Sequence, residues 1–118
     1  MTMLQKVIRY QQYRYITPTY RFAPKMTRIT EYYLPDEKLL LYTDGNRILD
    51  TEPCDGPRLS VPNHDRSDGS TCQAEEVEEV TMETATYDRI VKWHEAKAQA
   101  REIRAQLEDV FFNEPDDL

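Results

Sequence analysis

The stretch TRITEYYLPDEKLLLYTDGNRILD, residues 27–50, contains three β-favouring runs that are separated by two turn signals. Runs rich in Tyr, Ile, Leu and Thr suit a pleated, half-buried surface, and the Pro-Asp-Glu between the first two is a turn sequence. The pair Asp44-Gly45, before the third run, is typical of a two-residue type I′ hairpin, in which both central residues have positive φ. The stretch therefore predicts a three-stranded antiparallel meander.

The segment before the meander, VIRYQQYRYITPTYRF at residues 7–22, is basic and aromatic. It holds three arginines and four tyrosines and no acidic residue. Leu4, Val7 and Ile8 also fit one face of a short helix, but the β-favouring tyrosines and the interleaved Arg and Gln favour a half-exposed strand. We expect a strand over residues 6–16 that pairs with the meander.

The C-terminal segment has the periodicity of an amphipathic helix. Its apolar residues recur at alternating spacings of three and four, at Trp93, Ala96, Ala100, Ile103, Leu107 and Val110. Thr84 or Thr86 can cap the helix, and Asp88 then falls in the first turn, where the helix dipole favours an anion. The spacing predicts one continuous helix that ends at Phe111 or Phe112.

These elements predict an α+β fold, in which an antiparallel sheet of four to five strands packs against one long C-terminal helix. A short strand at residues 80–82 is a candidate for the additional strand. At 118 residues the chain has the length of one domain, and we assign it to residues 1–112. The Pro-, Gly- and Ser-rich residues 53–75 predict a mobile loop, and the acidic residues 113–118 predict a disordered tail.

Charge divides the chain into two unequal parts. Residues 1–30 carry six basic and no acidic side chains, whereas the other residues carry nine basic and 22 acidic ones, which leaves a net charge of −7. The basic segment is therefore expected to fold against the acids of the strands and helix, with its tyrosines covering a thin core.

The flanks of the predicted helix seam contain no acid, since they consist of Lys92, Lys97, Gln99, Arg104 and Gln106. A parallel homodimeric coiled coil would bring Lys92 against Lys97 of its partner, so we expect the seam to pack on the chain's own sheet. The opposite face presents a row of carboxylates, at Asp88, Glu95, Glu102, Asp109 and the neighbouring Glu108. Such a row is either a solvated face or a surface that attracts a basic partner.

From this row we predict a small, acidic, non-enzymatic protein-binding factor whose partner has a basic surface and handles nucleic acid. The carboxylates would then mimic phosphates, as in acidic inhibitors that phages and mobile elements encode. One alternative is a module that binds single-stranded nucleic acid through Arg9, Tyr10, Tyr13, Arg14 and Tyr15. Another alternative is a structural subunit of a larger assembly, such as a virion component or a homo-oligomer.

The remaining candidates are the loop residues Cys54, His64 and Cys72. Nine residues separate Cys54 from His64, and seven separate His64 from Cys72, whereas tetrahedral zinc sites usually have short paired spacings. Nothing in the pattern indicates a nucleophile pair. The sequence therefore predicts no metal site, no cofactor and no enzymatic activity, and it predicts free thiols. No apolar run is long enough to span a membrane and no secretory signal is present, so we expect a cytoplasmic protein.

Overall fold

The computed structural model describes residues 3–17, 23–62 and 68–112. These residues form an α+β structure with seven strands, two α-helices and one short 3-10 helix. In chain order the elements are β1 (Leu4–Ile16), β2 (Lys25–Leu34), β3 (Leu39–Thr43), β4 (Ile48–Pro53), β5 (Ser60–Pro62), β6 (Thr71–Gln73), β7 (Glu75–Glu83), α1 (Thr84–Glu95), the 3-10 helix (Lys97–Gln99) and α2 (Arg101–Phe112).

Five strands form one antiparallel sheet in the order β4-β3-β2-β1-β7, and β5 and β6 form a separate two-stranded sheet. The meander predicted from residues 27–50 is confirmed as β2, β3 and β4. The predicted N-terminal strand is also confirmed, and it lies in the sheet interior between β2 and β7. The five strands agree with the predicted number of four to five.

The sheet has a helix face and a loop face. On the helix face, Val7, Leu34 and Leu41 pack with α1 and α2 in the larger core cluster. On the loop face, Tyr10, Leu40 and other buried residues form a smaller cluster, which is covered by the segment after β4. Both faces of the sheet therefore carry a cluster of buried residues, although the chain is poor in aliphatic residues.

The prediction of one long C-terminal helix is wrong. Ala96 (φ −137°, ψ 35°) and Ala100 (φ −110°, ψ 42°) leave the α-helical region, and the 3-10 helix lies between them. The Nζ atom of Lys97 contacts Asp50 and donates a hydrogen bond of 2.7 Å to the carbonyl oxygen of Thr51. This contact with β4 holds the break, so that α1 and α2 both pack on the same face of the sheet.

The predicted apolar seam is confirmed in part. Trp93, Ala100 and Leu107 are buried in the larger core cluster, but Ala96 lies at the break and Val110 is 53% exposed. The predicted start is also corrected, because α1 begins after Glu83 without a side-chain cap and has no acid in its first turn. Since the helix begins at Thr84, Asp88 lies beyond the first turn.

The turn at Asp44-Gly45 forms where it was predicted but with a different geometry. Gly45 has a positive φ of 92°, whereas Asp44 does not. The side chain of Asp44 instead accepts hydrogen bonds from the N–H groups of Asn46 (2.9 Å) and Arg47 (2.8 Å). The connection is therefore a loop closed by an aspartate side chain, as Asp residues commonly do in turns.

The segment predicted as the loop 53–75 contains both strands of the small sheet, in which Val61 pairs with Cys72. The prediction of a disordered tail at residues 113–118 lies outside the described residues. Among the residues that are described, no helix is long and apolar enough to cross a membrane.

Candidate functional site

The strands β1 and β2 extend beyond their neighbours and form a two-stranded ribbon. β3 pairs with residues 30–34 of β2, and β7 pairs with residues 4–11 of β1. The remaining parts, residues 12–16 and 25–29, pair with each other. We call these two stretches the ribbon, and neither α1 nor α2 covers its helix face.

The helix face of the ribbon presents two tyrosines to solvent. Tyr13 lies opposite Arg28 and Tyr15 lies opposite Met26, so all four side chains share this face. Tyr13 is 40% exposed and Tyr15 is 38% exposed, which is high for such large rings. Strand alternation places Arg9 and Gln11 in the same row of β1 as the two tyrosines.

A groove of about 340 Å³ lies at the other end of this row, between β1, β2, β7 and the end of α2. Its lining includes Arg9, Tyr32, Val80, Met82, Val110 and Phe111. The Tyr32 and Phe111 rings pack with their centroids 5.0 Å apart and close one end of the groove. Arg9 pairs with Glu78, and this hydrogen bond raises the pKa of the guanidinium group.

The groove and the ribbon are joined by the row Arg9, Gln11, Tyr13 and Tyr15, and together we call them the open surface. Gln11 bridges the two parts, because its side chain accepts a hydrogen bond from Arg28 (2.6 Å) and donates one to Glu76 (2.7 Å). The open surface is therefore aromatic and apolar at both ends, with paired charges between them.

The five residues predicted to bind nucleic acid do not form one surface. Tyr10 and Arg14 lie on the loop face, where Tyr10 is 0% exposed and the Arg14 side chain is 14% exposed. Arg9, Tyr13 and Tyr15 lie on the helix face. The alternation of side chains along a strand separates the set, which a count of arginines and tyrosines cannot show.

On the loop face, Arg14 belongs to a buried cluster of charges that the sequence analysis did not identify. Its Nη1 lies 3.3 Å from Oε1 of Glu31, and its Nη2 lies 2.7 Å from Oε1 of Glu52. Arg58 also pairs with Glu52, at 3.1 Å. No local pattern could have revealed this cluster, because its members come from three strands and a loop.

The same cluster holds the segment after β4 against the sheet. The N–H of Arg58 donates a hydrogen bond of 2.8 Å to the hydroxyl oxygen of Tyr10. The side chain of Gln12 donates one of 2.6 Å to the carbonyl oxygen of Arg58, and the Tyr33 hydroxyl donates one of 3.0 Å to the carbonyl oxygen of Cys54. Buried side chains of β1 and β2 thus fix the path of an irregular segment.

Glu31 is the least favourable charge in this cluster. Burial raises its pKa above the ordinary value, while the Tyr10 hydroxyl and the Arg14 guanidinium group act in the opposite direction. Neither carboxylate oxygen has an aligned hydrogen-bond donor among the described residues. Burial also raises the pKa of Tyr10, so its hydroxyl keeps its proton. The cluster lies under the covering segment, which indicates a structural role.

The predicted row of helix carboxylates is divided by the break. Asp88 and Glu95 are exposed on α1, and Glu102 and Asp109 are exposed on α2. Glu108 is used internally, since its carboxylate accepts a hydrogen bond of 3.0 Å from the N–H of Ile48. Residues 84–112 contain five acidic and five basic side chains, so the helical segment as a whole has no net formal charge.

The expected pairing between the basic N-terminal segment and the acids is confirmed for the strands. Lys6 pairs with Glu79 at 3.7 Å, Arg28 with Glu75 at 2.9 Å, and Arg9 with Glu78. Each of these three pairs joins the basic segment to a glutamate of β7. The glutamates of β7 are therefore largely paired within the sheet.

Two of the three loop candidates for a metal site, Cys54 and Cys72, lie in the described residues. Cys54 and Cys72 are free thiols, and both are partly buried. The S–H of Cys54 donates to the carbonyl oxygen of Gly56 at 2.9 Å, and His64 lies outside the described residues. Within residues 3–17, 23–62 and 68–112, no three His, Cys, Asp or Glu side chains could hold a metal ion together.

Comparison with known proteins adds no relative. No protein-family model matches the chain, and no curated protein or solved structure matches it. The functional assignment therefore depends on the surfaces described above, and the open surface is the feature whose chemistry best fits a contact with another molecule.

Proposed function

We propose that the chain is a non-enzymatic protein-binding factor and that its partner packs on the open surface. The observation that supports this most directly is the part of the helix face that α1 and α2 do not cover, where Tyr13 and Tyr15 are 40% and 38% exposed. Tyrosine and arginine are enriched at the centres of protein interfaces, because they combine a large apolar area with hydrogen bonding.

The groove supplies the second half of the proposed interface. Val110 is 53% exposed beside it, and Val80 and Met82 lie in its lining. A concave site with apolar walls can enclose a side chain of the partner, and enclosed anchors of this kind contribute most of the binding energy in many interfaces. The open surface thus offers a pocket and a flat aromatic patch in one row.

The helix carboxylates are a second candidate for the binding surface, favoured by the exposure of Asp88, Glu95 and Glu102. Their charge is offset by basic residues on the same two helices, which reduces the long-range attraction that a basic partner would feel. An inhibitor of a nucleic-acid-handling protein would, on this alternative, contact α1 and α2 instead of the sheet.

The test is affinity capture from the native host with two sets of variants. The double variant Tyr13→Ser, Tyr15→Ser should weaken capture about tenfold or more, because interface tyrosines commonly contribute 2 kcal/mol or more each. Leu59→Ser is the matched control, since Leu59 is 37% exposed but lies on the segment that covers the loop face. The triple variant Asp88→Lys, Glu95→Lys, Glu102→Lys should capture the partner normally.

Two outcomes would reject this assignment. Capture that survives the tyrosine substitutions would contradict the open surface, and capture that is lost in the lysine variant would favour the helix carboxylates. Circular dichroism and thermal unfolding of each variant separate lost contacts from lost folding. Titration with labelled single-stranded DNA tests the nucleic-acid alternative, for which the proposal predicts no binding.

A further inference from the structure

The two edge strands of the five-stranded sheet, β4 and β7, differ in the hydrogen bonds that their outward backbone groups receive from the other described residues. At β4, the N–H of Ile48 donates to Glu108, and its carbonyl oxygen accepts from Arg104. The carbonyl oxygen of Thr51 accepts from Lys97. Side chains from the helical segment therefore satisfy backbone groups along the outer edge of β4, and that edge cannot accept another strand without losing them.

At β7, the other edge of the sheet, the described residues provide no such side-chain cover. The N–H of Thr84 donates a hydrogen bond of 2.9 Å to the carbonyl oxygen of Met3, which marks these two residues as a hydrogen-bonded pair. Hydrogen-bonded and non-bonded pairs alternate along an antiparallel ladder, so Glu79, Thr81 and Glu83 direct their N–H and C=O groups away from β1. Among the described residues, no turn, loop or cap hydrogen bond reaches the outward groups of Glu79 and Thr81. The carbonyl oxygen of Glu83, which is the N-cap of α1, instead serves the first turn of that helix.

We propose that β7 is a docking edge for an extended, basic segment of the protein partner, which adds to the sheet as a sixth strand; this inference rests on the proposed protein-binding function. Strand addition satisfies unpaired edge groups with main-chain hydrogen bonds and uses alternate side chains for specificity. Five of the nine residues of β7 are glutamates, so the edge selects a segment rich in Lys or Arg.

The acidic edge also decides against a second copy of this chain. Pairing β7 with β7 would place glutamates opposite glutamates, and like charges opposite each other destabilise a strand pair. Three of the five glutamates already pair with Lys6, Arg9 and Arg28, which leaves two carboxylates in excess. A basic strand neutralises this excess negative charge, so the edge should bind it more strongly than an acidic or neutral strand.

The groove gives the added strand a position for an apolar side chain. Val80 and Met82 lie on the helix face of β7 and line the groove, with Val110 opposite them on α2. Every second side chain of an added strand points to the same face. An alternation of basic and apolar residues therefore fits both the edge and the groove.

The experiment uses a short labelled peptide of alternating lysine and valine, with fluorescence anisotropy at low salt. The full chain should bind it, and amide exchange should slow at Glu79, Thr81 and Glu83. N-methylation of every second peptide amide should weaken binding about tenfold or more, because the main-chain hydrogen bonds are lost while the charge remains. The analogous glutamate and valine peptide should not bind.

The variant Thr81→Pro removes an outward N–H at an edge position, where proline is tolerated, and should weaken peptide binding by a similar factor. Thr81→Val keeps that N–H and should bind normally. Equal binding of the N-methylated peptide, or unchanged binding by Thr81→Pro, would overturn the inference by showing attraction through charge alone. Size exclusion with light scattering tests self-pairing, since dimers that Thr81→Pro abolishes would also overturn it.

The same variants separate this inference from the proposed function. If Thr81→Pro still captures the host partner while the Tyr13 and Tyr15 substitutions abolish capture, the strand-addition inference fails and the protein-binding function stands. If the tyrosine substitutions leave capture intact, the open surface fails as the binding site whatever the peptide does.

Discussion

Glu31 is fully buried on the loop face of the sheet, close to Tyr10 and to the guanidinium group of Arg14. A buried carboxylate without aligned donors is costly even when a cation is nearby, because its oxygens lose their hydration. Arg14 is shared with Glu52, with Nη2 2.7 Å from Oε1 of Glu52, and it packs over the Tyr42 ring at 4.3 Å. The cluster fixes the register of the segment that covers it.

The first prediction concerns Glu31 and pH. Because burial raises the pKa of Glu31 in the folded state, the folded chain binds this proton more tightly than the unfolded chain does. The contribution of Glu31 to the free energy of unfolding therefore falls as pH rises from the ordinary glutamate pKa of about 4.3 through the higher pKa of Glu31 in the folded state. In Glu31→Gln this loss is absent, so the unfolding free energy of the variant relative to wild type should rise with pH.

Urea unfolding between about pH 4 and pH 8 measures this difference. Tyr10→Phe provides the matched variant, since removal of the hydroxyl removes a group that lowers the pKa of Glu31. In that variant the loss of stability should extend to higher pH. The prediction is contradicted if the unfolding free energy of Glu31→Gln minus that of wild type stays constant or falls as pH rises over this range.

At the scale of elements, the C-terminal segment shows why one helix becomes two. A continuous helix from Thr84 to Phe112 would be about 43 Å long, whereas the break gives two α-helices of 12 residues each, which are about 18 Å long. The break at Ala96 and Ala100 lets both halves cover the sheet. Trp93 lies between the two cations at the break, with Lys97 at 5.5 Å and Arg104 at 6.0 Å from its ring.

The second prediction concerns Ala100, which is 6% exposed at the start of α2. Ala100→Leu should lower the unfolding free energy by about 1–3 kcal/mol, because added methylene groups do not fit a packed core without strain. Ala105→Leu is the control on the exposed face of α2, and it should change stability by less than about 0.5 kcal/mol. Similar effects of the two substitutions in urea unfolding would show that the break is not closely packed.

At the scale of the whole molecule, the structure is elongated, with extents of 51 × 32 × 32 Å. The core lies where the sheet has five strands and two helices, and the ribbon projects beyond it with two strands. Isolated two-stranded hairpins are marginally stable, so the ribbon depends on its continuity with the core and on Gln12, which anchors it to Arg58.

The third prediction concerns the order of hydrogen exchange. Amides of residues 12–16 and 25–29 should exchange before those of residues 5–10 and 30–34, because the ribbon can open locally while the five-stranded part stays folded. Exchange followed by mass spectrometry measures both sets in one experiment. Equal protection of the two sets would show that ribbon and core open as one unit, and the ribbon would then be no more accessible to a partner than the core.

The sequence by itself determined the local elements that periodicity and turn chemistry encode. The meander, the N-terminal strand and the burial of Trp93, Ala100 and Leu107 were all predicted, because each depends on side chains that are close in the sequence. The pairing of the basic segment with strand acids was also predicted, because opposite charges in a small domain attract each other whatever the fold.

The tertiary structure alone decided the helix break, the cluster around the buried Glu31, the groove and the position of β7 at an edge of the sheet. A repeat of apolar residues gives the direction of a helix face but not the width of the sheet that it must cover, so the break could not be read from spacing. The open surface has the same origin. Alternation along β1 places Tyr10 on the loop face, where the segment after β4 covers it, and Tyr13 on the helix face, where α1 and α2 do not reach it.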